Sequence, residues 1–271
     1  MPVAVNNGER IVPEPASEHR VADMAPLVER VREFLAERRA RTSTFVAPYD
    51  SGALSRTFGY SEKKKGKPEI VLAENVAREL GHPSTASRAL VLITFKPELA
   101  RDGRISIVGP DVAEMEDTRR YPLAQIVIVA VRRDSVPDPF ELENTQFLMN
   151  RLPGYMVRSV PGKLWVRISK NGRDAGLSLK AVGSALIASY AADFPAVESV
   201  EVVFVTSSDD DVRALDQIAT EAGILAGRHK KLVLGVDGEI ECFELNCKTC
   251  DEKPVCDSLR DIVIKRRKLA K

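Results

Sequence analysis

Residues 126–131 read Ile126-Val127-Ile128-Val129-Ala130-Val131, six apolar side chains in succession, with Arg132-Arg133 closing the run. A strand with one face in water alternates apolar and polar residues, whereas an uninterrupted apolar run needs cover on both faces. The stretch therefore predicts a central strand with layers above and below it, and the fold is read outward from there.

Other segments fit around that strand. Leu90-Val91-Leu92-Ile93-Thr94-Phe95 is a second buried strand, Ile105-Ser106-Ile107-Val108 is a strand running into a Gly109-Pro110-Asp111 turn, and Val200 to Val205 is another. Thr44 to Ala47 is a short strand, and Ile70 to Leu80 is a strand or helix stopped by Gly81-His82-Pro83. Lys163-Leu164-Trp165-Val166-Arg167-Ile168-Ser169 alternates, so Leu164, Val166 and Ile168 share one face and Lys163, Trp165 and Arg167 the other.

Helical spacing recurs at Leu27, Val28, Val31, Phe34 and Leu35, and again between Ala175 and Ala192. Asp138 and Pro139 open a helix that runs to Arg151. Ser207 or Ser208 caps one that passes Leu215, Ile218 and Ala219 and ends near Gly223. Lys231 to Leu234 and Glu239 to Leu245 flank a tight turn as a hairpin. Together these predict an α+β fold, a mixed sheet packed with helices, followed by a C-terminal cysteine loop and helix. Residues 1–20 read as an extended arm, 21–240 as the α+β domain, and 241–271 as a cysteine-rich metal or cluster segment ending in a basic helix.

The chain has 271 residues, 44% hydrophobic and 29% charged, with a net charge of +1. That balance gives no global drive toward nucleic acid or membrane. No apolar run approaches the roughly 20 residues needed to span a bilayer, and the start lacks a signal-peptide pattern, so the expected location is cytoplasmic. Charge is uneven, however. Residues 119–173 hold ten Lys or Arg against four Asp or Glu, which suits a phosphate-bearing small molecule.

Neither a Walker loop nor a Gly-x-Gly-x-x-Gly fingerprint occurs, and His19, His82 and His229 are tied to no hydrolase pattern. Trp165, the single tryptophan, projects beside two cations. It is either a surface tryptophan half-covered by arginine or part of a face that meets an aromatic, anionic ligand. Arg132, Trp165 and Arg167 are the candidate ligand residues.

All four cysteines, Cys242, Cys247, Cys250 and Cys256, fall in CFELNCKTCDEKPVC with spacing C-x4-C-x2-C-x5-C. A CxxC pair turns two soft thiolates onto one ion or cluster, and two more nearby complete a four-thiolate site. Such sites hold an iron–sulfur cluster, here of the 4Fe-4S type, or tetrahedral zinc. Disulfides and a plain packing role for Cys242, which sits in an alternating strand pattern, remain the bland alternatives. Two other charged runs have structural explanations: Arg38-Arg39-Ala40-Arg41 as a solvated helix end, and Asp209-Asp210-Asp211 as acids in a first helical turn.

Several runs resemble a known family. They are Glu79-Leu80-Gly81-His82-Pro83, Ile107 to Met115 (IVGPDVAEM), Tyr121-Pro122-Leu123, Leu164 to Lys170 (LWVRISK), Gly176 to Lys180 (GLSLK) and Phe194 to Val200 (FPAVESV). In order and spacing they are similar to the beta (acetyl-CoA synthase) subunit of CO dehydrogenase/acetyl-CoA synthase, in the domain that precedes the metal-cluster domain. The likeness covers roughly residues 75 to 206.

The resemblance implies an α+β domain lying against a cluster domain and associated with coenzyme A through basic residues and a tryptophan, with Trp165 and Arg167 at the matching run. It places Cys247, Cys250 and Cys256 where the first three cluster cysteines would fall. Cys256 comes sooner than in the family, the next Cys-Gly step is missing, and the Cys-Gly-Cys that would hold the second nickel does not occur. Nickel is therefore not expected, and Cys242 is the candidate replacement for the fourth cluster ligand.

Two functions of different class follow. One is an acetyl-CoA synthase-like iron–sulfur protein, an accessory or electron-transfer component with a protein partner in a redox or acyl-CoA complex and a CoA-like ligand. The other is a non-catalytic interaction module with a structural zinc site of four cysteines.

Overall fold

A computed structural model describes residues 22–59, 70–116, 119–160, 162–226, 233–234 and 240–241. The expected N-terminal arm, the four cysteines and the last helix lie outside these residues.

The chain opens with α1 (Ala25–Arg39), β1 (Thr44–Pro48) and α2 (Ser51–Phe58), then continues through β2 (Val76–Leu80), β3 (Ser87–Thr94) and β4 (Arg104–Val108). Next come β5 (Arg120–Tyr121), β6 (Leu123–Val131), α3 (Pro139–Thr145), β7 (Tyr155–Val160) and β8 (Lys163–Ser169). The final elements are α4 (Lys170–Asp174), α5 (Leu179–Asp193), β9 (Val197–Val205), α6 (Asp209–Arg213), α7 (Asp216–Leu225) and the short strands β10 (Val233–Leu234) and β11 (Ile240–Glu241).

The uninterrupted apolar run lies in β6, whose residues are all buried, between β9 and β3 in a five-stranded sheet of order β1-β4-β9-β6-β3. That sheet is mixed: β3 and β6 run parallel, as do β4 and β9, while β9 is antiparallel to β6 and β1 to β4. One face packs under α1 and α7, with Leu27, Val28 and Val31 against Leu92, Ile126 and Val203. The opposite face packs against α5 and the inner side of a second sheet, where Val127, Val129 and Phe204 join Leu186, Tyr190, Val166 and Ile168. The α+β class is therefore as expected, but the strands divide between two sheets.

The second sheet has order β5-β2-β8-β7 and shapes the candidate site. β8 carries the predicted alternation: Leu164, Val166 and Ile168 are buried, and Trp165 and Arg167 are half-buried on the other side. β2 pairs antiparallel with β8, and Gly81 then turns the chain at φ +62°. A Cβ there would sit 2.2 Å from the Leu164 carbonyl oxygen, so only glycine fits the close approach. The Ser87 hydroxyl ties the sheets together, donating to the Leu164 carbonyl and accepting from the Leu164 N–H at 2.9 Å.

Some boundaries differ from the sequence expectation for local reasons. α5 starts at Leu179 because Gly176 takes φ +83° and the Ser178 side chain caps the helix by accepting from Ala181 N–H. Asp138 caps α3 as expected, but the helix tightens into a 3₁₀ turn from Gln146 to Arg151. The expected helix after Ser208 divides into α6 and α7, and the 70–80 segment resolves into a 3₁₀ turn followed by β2. β10 and β11 pair antiparallel, as the hairpin pattern predicts.

Candidate binding site

The outer side of the smaller sheet gathers charge and aromatic surface around one carboxylate. Glu79 on β2 stands opposite Arg120 on β5 and Arg167 on β8. Its Oε1 accepts from the Trp165 indole Nε1 at 3.1 Å and from Arg167 Nε at 3.0 Å, and its Oε2 accepts from Arg120 Nε at 3.0 Å. Burial acts to raise the Glu79 carboxyl, but hydrogen bonds from Arg167, Arg120 and Trp165 outweigh it and hold the group below the ordinary glutamate value. One anion thus fixes the indole and two guanidinium groups.

Trp165 is framed further. Arg158 stands directly across from it on β7, and its guanidinium carbon lies 5.4 Å from the ring centroid; that of Arg167 lies at 4.7 Å. Both are within cation–π range. His82 meets the indole edge-on, with centroids 5.5 Å apart and planes at 85°. The His82 Nδ1 faces the Ser84 hydroxyl at 2.8 Å and accepts from Ser84 N–H at 3.0 Å, which holds the ring beside the indole. Arg120 Nη1 reaches the same hydroxyl at 3.4 Å.

Charge on this face does not cancel. Glu79 offsets Arg120 and Arg167 in part, whereas no carboxylate among the described residues lies within ion-pair distance of the exposed Arg158. Guanidinium charge is fixed across the physiological pH range, so the face presents a permanent positive group beside an aromatic ring. Such an arrangement holds a ligand bearing phosphate or another compact anion next to an apolar or ring portion.

The structure brings two of the three predicted ligand residues, Trp165 and Arg167, together. Arg132 follows the far end of β6, which begins near the Ser87–Leu164 junction; by strand rise this separates it by roughly 25 Å from the Trp165 end. There it pairs with Asp134 at 3.7 Å. Glu79, His82, Ser84, Arg120 and Arg158 were not singled out from sequence as ligand residues. Glu79 and His82 did stand in one of the runs that carried the family likeness. Arg158 lies on β7, a strand missing from the sequence prediction.

Among the described residues, no group of three or more His, Cys, Asp or Glu side chains could hold a metal ion, and no helix is long and apolar enough to cross a membrane. Cys242, Cys247, Cys250 and Cys256 lie outside the described residues.

Comparison with known proteins sets this face in context. Residues 61–211 match the family described as CO dehydrogenase/acetyl-CoA synthase complex beta subunit. The chain is 32% identical over 176 residues to the acetyl-CoA decarbonylase/synthase complex subunit beta of Archaeoglobus fulgidus, covering 64% of this chain and 32% of that protein. It is 31% identical over 186 residues to subunit beta 2 of Methanocaldococcus jannaschii, covering 67% of this chain and 37% of that one. The Methanothermobacter thermautotrophicus subunit beta is 29% identical over 141 residues, 51% of this chain and 30% of its own length. The aligned region thus spans about a third of the length of these curated relatives, and the family match encloses every residue of the Glu79–Trp165 face.

Proposed function

Since this chain belongs to the family of the CO dehydrogenase/acetyl-CoA synthase complex beta subunit, we propose that it serves one-carbon and acyl-CoA metabolism as an accessory or electron-transfer component. It works in the cytoplasm with a protein partner and binds a CoA-like anionic ligand on the Trp165 face. The observation that carries this reading is the positioning of Trp165 by Glu79 with the Arg158 and Arg167 guanidinium groups beside the ring. Arg158 and Arg167 would meet phosphate oxygens, and the indole and His82 would border the ligand's ring or pantetheine portion.

The same reading gives Cys242, Cys247, Cys250 and Cys256 a 4Fe-4S cluster. Their number and soft sulfur chemistry fit it, and their spacing lies inside one short segment. When bound, such a cluster supplies one-electron transfer. The ligand face does not depend on it for positioning, because Glu79 and Trp165 are held by their own sheet. Zinc on the same four thiolates is the alternative, and no Cys-Gly-Cys is present in the sequence for a nickel site of the family kind.

Isothermal titration of the full chain with coenzyme A at low ionic strength tests the ligand assignment. Binding that weakens about tenfold or more in Arg158→Ala, a loss of about 1.4 kcal/mol, supports it. Absence of binding, or binding unchanged in both Arg158→Ala and Trp165→Phe, overturns it.

A further inference from the structure

Residues 70–72 cross the outer side of the smaller sheet next to Arg167. The Val71 side chain is buried, its N–H donates to the Met156 sulfur at 3.4 Å, and its carbonyl accepts from Arg167 Nη1 at 3.4 Å. Met156 stands directly across from Arg167 on β7 and so shares its side of the sheet, yet it is buried, because Val71 lies over it. Leu72 is extended, at φ −69° and ψ 156°, and its carbonyl then accepts from Asn75 N–H at 3.0 Å as the chain turns toward β2. Lys170 Nζ donates to the Glu74 carbonyl at 3.0 Å. The strap is thus held to β7 and β8 on one side and to α4 on the other.

With Val71 turned inward, Ile70 and Leu72 point outward, because alternate side chains of an extended segment share a side. They are 72% and 53% exposed, and Ile70 is the most exposed large hydrophobic side chain among the described residues. A single exposed leucine is ordinary, but two aliphatic side chains on an anchored strap make a ridge. The strap is one hydrogen bond from Arg167, whose guanidinium carbon lies 4.7 Å from the Trp165 ring centroid. Aliphatic surface therefore adjoins a fixed cation, which in turn adjoins the indole.

We propose that Ile70 and Leu72 form the subsite that reads the pantetheine half of the ligand, so that this face selects phosphopantetheine compounds over nucleotides lacking that arm. The inference rests on the assignment of a CoA-like ligand to the Trp165 face. In phosphopantetheine the carbon that bears two methyl groups is separated from the phosphate oxygen by a single methylene. A phosphate held by Arg167 brings those methyls against the aliphatic ridge beside it, and the amides further along the arm stay in water. The ring of the ligand is left to the Trp165 indole. Burying two methyl groups is worth about tenfold in affinity. A nucleotide that ends at its phosphate has nothing to bury there.

The test is isothermal titration of the full chain with coenzyme A and with 3′-phospho-ADP, which keeps the nucleotide half and its phosphates but lacks the arm. Free 4′-phosphopantetheine serves as a competitor. Coenzyme A is expected to bind about tenfold more tightly than 3′-phospho-ADP, and 4′-phosphopantetheine to displace it. In Ile70→Ser/Leu72→Ser the preference should shrink to about twofold or less, with the loss on the coenzyme A side. Ile70→Met/Leu72→Met, which keeps the aliphatic surface, should retain it. A preference that survives the serine changes, or 3′-phospho-ADP binding as tightly as coenzyme A to the unaltered chain, would overturn the subsite. If coenzyme A binding still weakened in Arg158→Ala, the assignment of the face would stand without it. Absence of coenzyme A binding would overturn both.

Discussion

The indole Nε1 of Trp165 donates to Oε1 of Glu79 across neighbouring strands at 3.1 Å, and the same oxygen accepts from Arg167. Glu79 is therefore the residue on which the geometry of the face depends. Glu79→Ala leaves Arg167, largely covered, without its anion and removes three charge-assisted hydrogen bonds. Its expected cost is about 2 kcal/mol, measured by urea unfolding at neutral pH. A loss within a few tenths of wild type would show that the cluster is only a surface ion pair.

The acid dependence has a definite sign. The Glu79 carboxyl is held below its ordinary value in the folded chain, so its stabilisation is present above the unfolded value of about 4.3. It is lost as pH falls through the lower folded value. The stability gap between wild type and Glu79→Gln should stay constant from neutrality to about pH 5 and narrow below about pH 4. A gap that widens on acidification would contradict the assignment.

Asp111 behaves in the opposite sense. Burial raises its carboxyl even though Oδ1 accepts from Val112 N–H at 2.6 Å and Leu179 N–H at 2.7 Å, capping a 3₁₀ turn and α5 together. A raised folded value contributes stability below the unfolded value that is lost as pH rises through the folded one. Asp111→Asn keeps the acceptor and sheds the charge, so it should match or exceed wild type at pH 7 and lose that advantage below about pH 4. Asp111→Ala should cost about 1–2 kcal/mol at pH 7. Thermal melts of both variants at the two pH values would check the pair.

Gly81 joins β2 to the His82 turn. Alanine there needs the left-handed backbone and places Cβ 2.2 Å from a backbone oxygen. Gly81→Ala should destabilise by about 2 kcal/mol or more and move His82 off the Trp165 edge, seen as a changed indole emission. A stable variant with unaltered emission would mean that the turn is not what holds the histidine.

Metal content separates the two chemistries available to the cysteines. Anaerobic purification should yield iron and acid-labile sulfide near four each per chain with broad visible absorption, and Cys242→Ala should lower both. One zinc per chain with no sulfide would make the segment a structural zinc site of four thiolates. Unchanged iron in Cys242→Ala would remove that cysteine from the ligand set.

Most of the framework was legible because its signals are local. Ile126 to Val131 announced a doubly covered strand, and Leu164, Val166 and Ile168 declared which side of β8 faces the core. The face itself was only half legible. Trp165 and Arg167 share one strand, so period two places them together. Glu79 arrives from a strand distant in sequence, through a pairing of β2 with β8 that no local pattern encodes, whereas Arg158 lies only seven residues before Trp165, on a strand that pairs with β8 across the Pro161-Gly162 turn signal. Arg132 was grouped with them because the basic count runs along the chain, whereas β6 carries it to the other end of the sheet. The buried Gln125, which breaks the apolar character of β6 and donates to Gln146 at 3.2 Å, was equally beyond local reading.

Trp165 is the sole tryptophan, so its emission reports on this face alone. The most direct test of the central claim is a fluorescence titration of the full chain with coenzyme A at low ionic strength. The expected result is saturable quenching that weakens with added salt and drops about tenfold or more in apparent affinity in Arg158→Ala, matching the loss of one phosphate-binding guanidinium. An emission spectrum that coenzyme A leaves unchanged up to millimolar concentration would contradict the claim that this face binds a CoA-like anion.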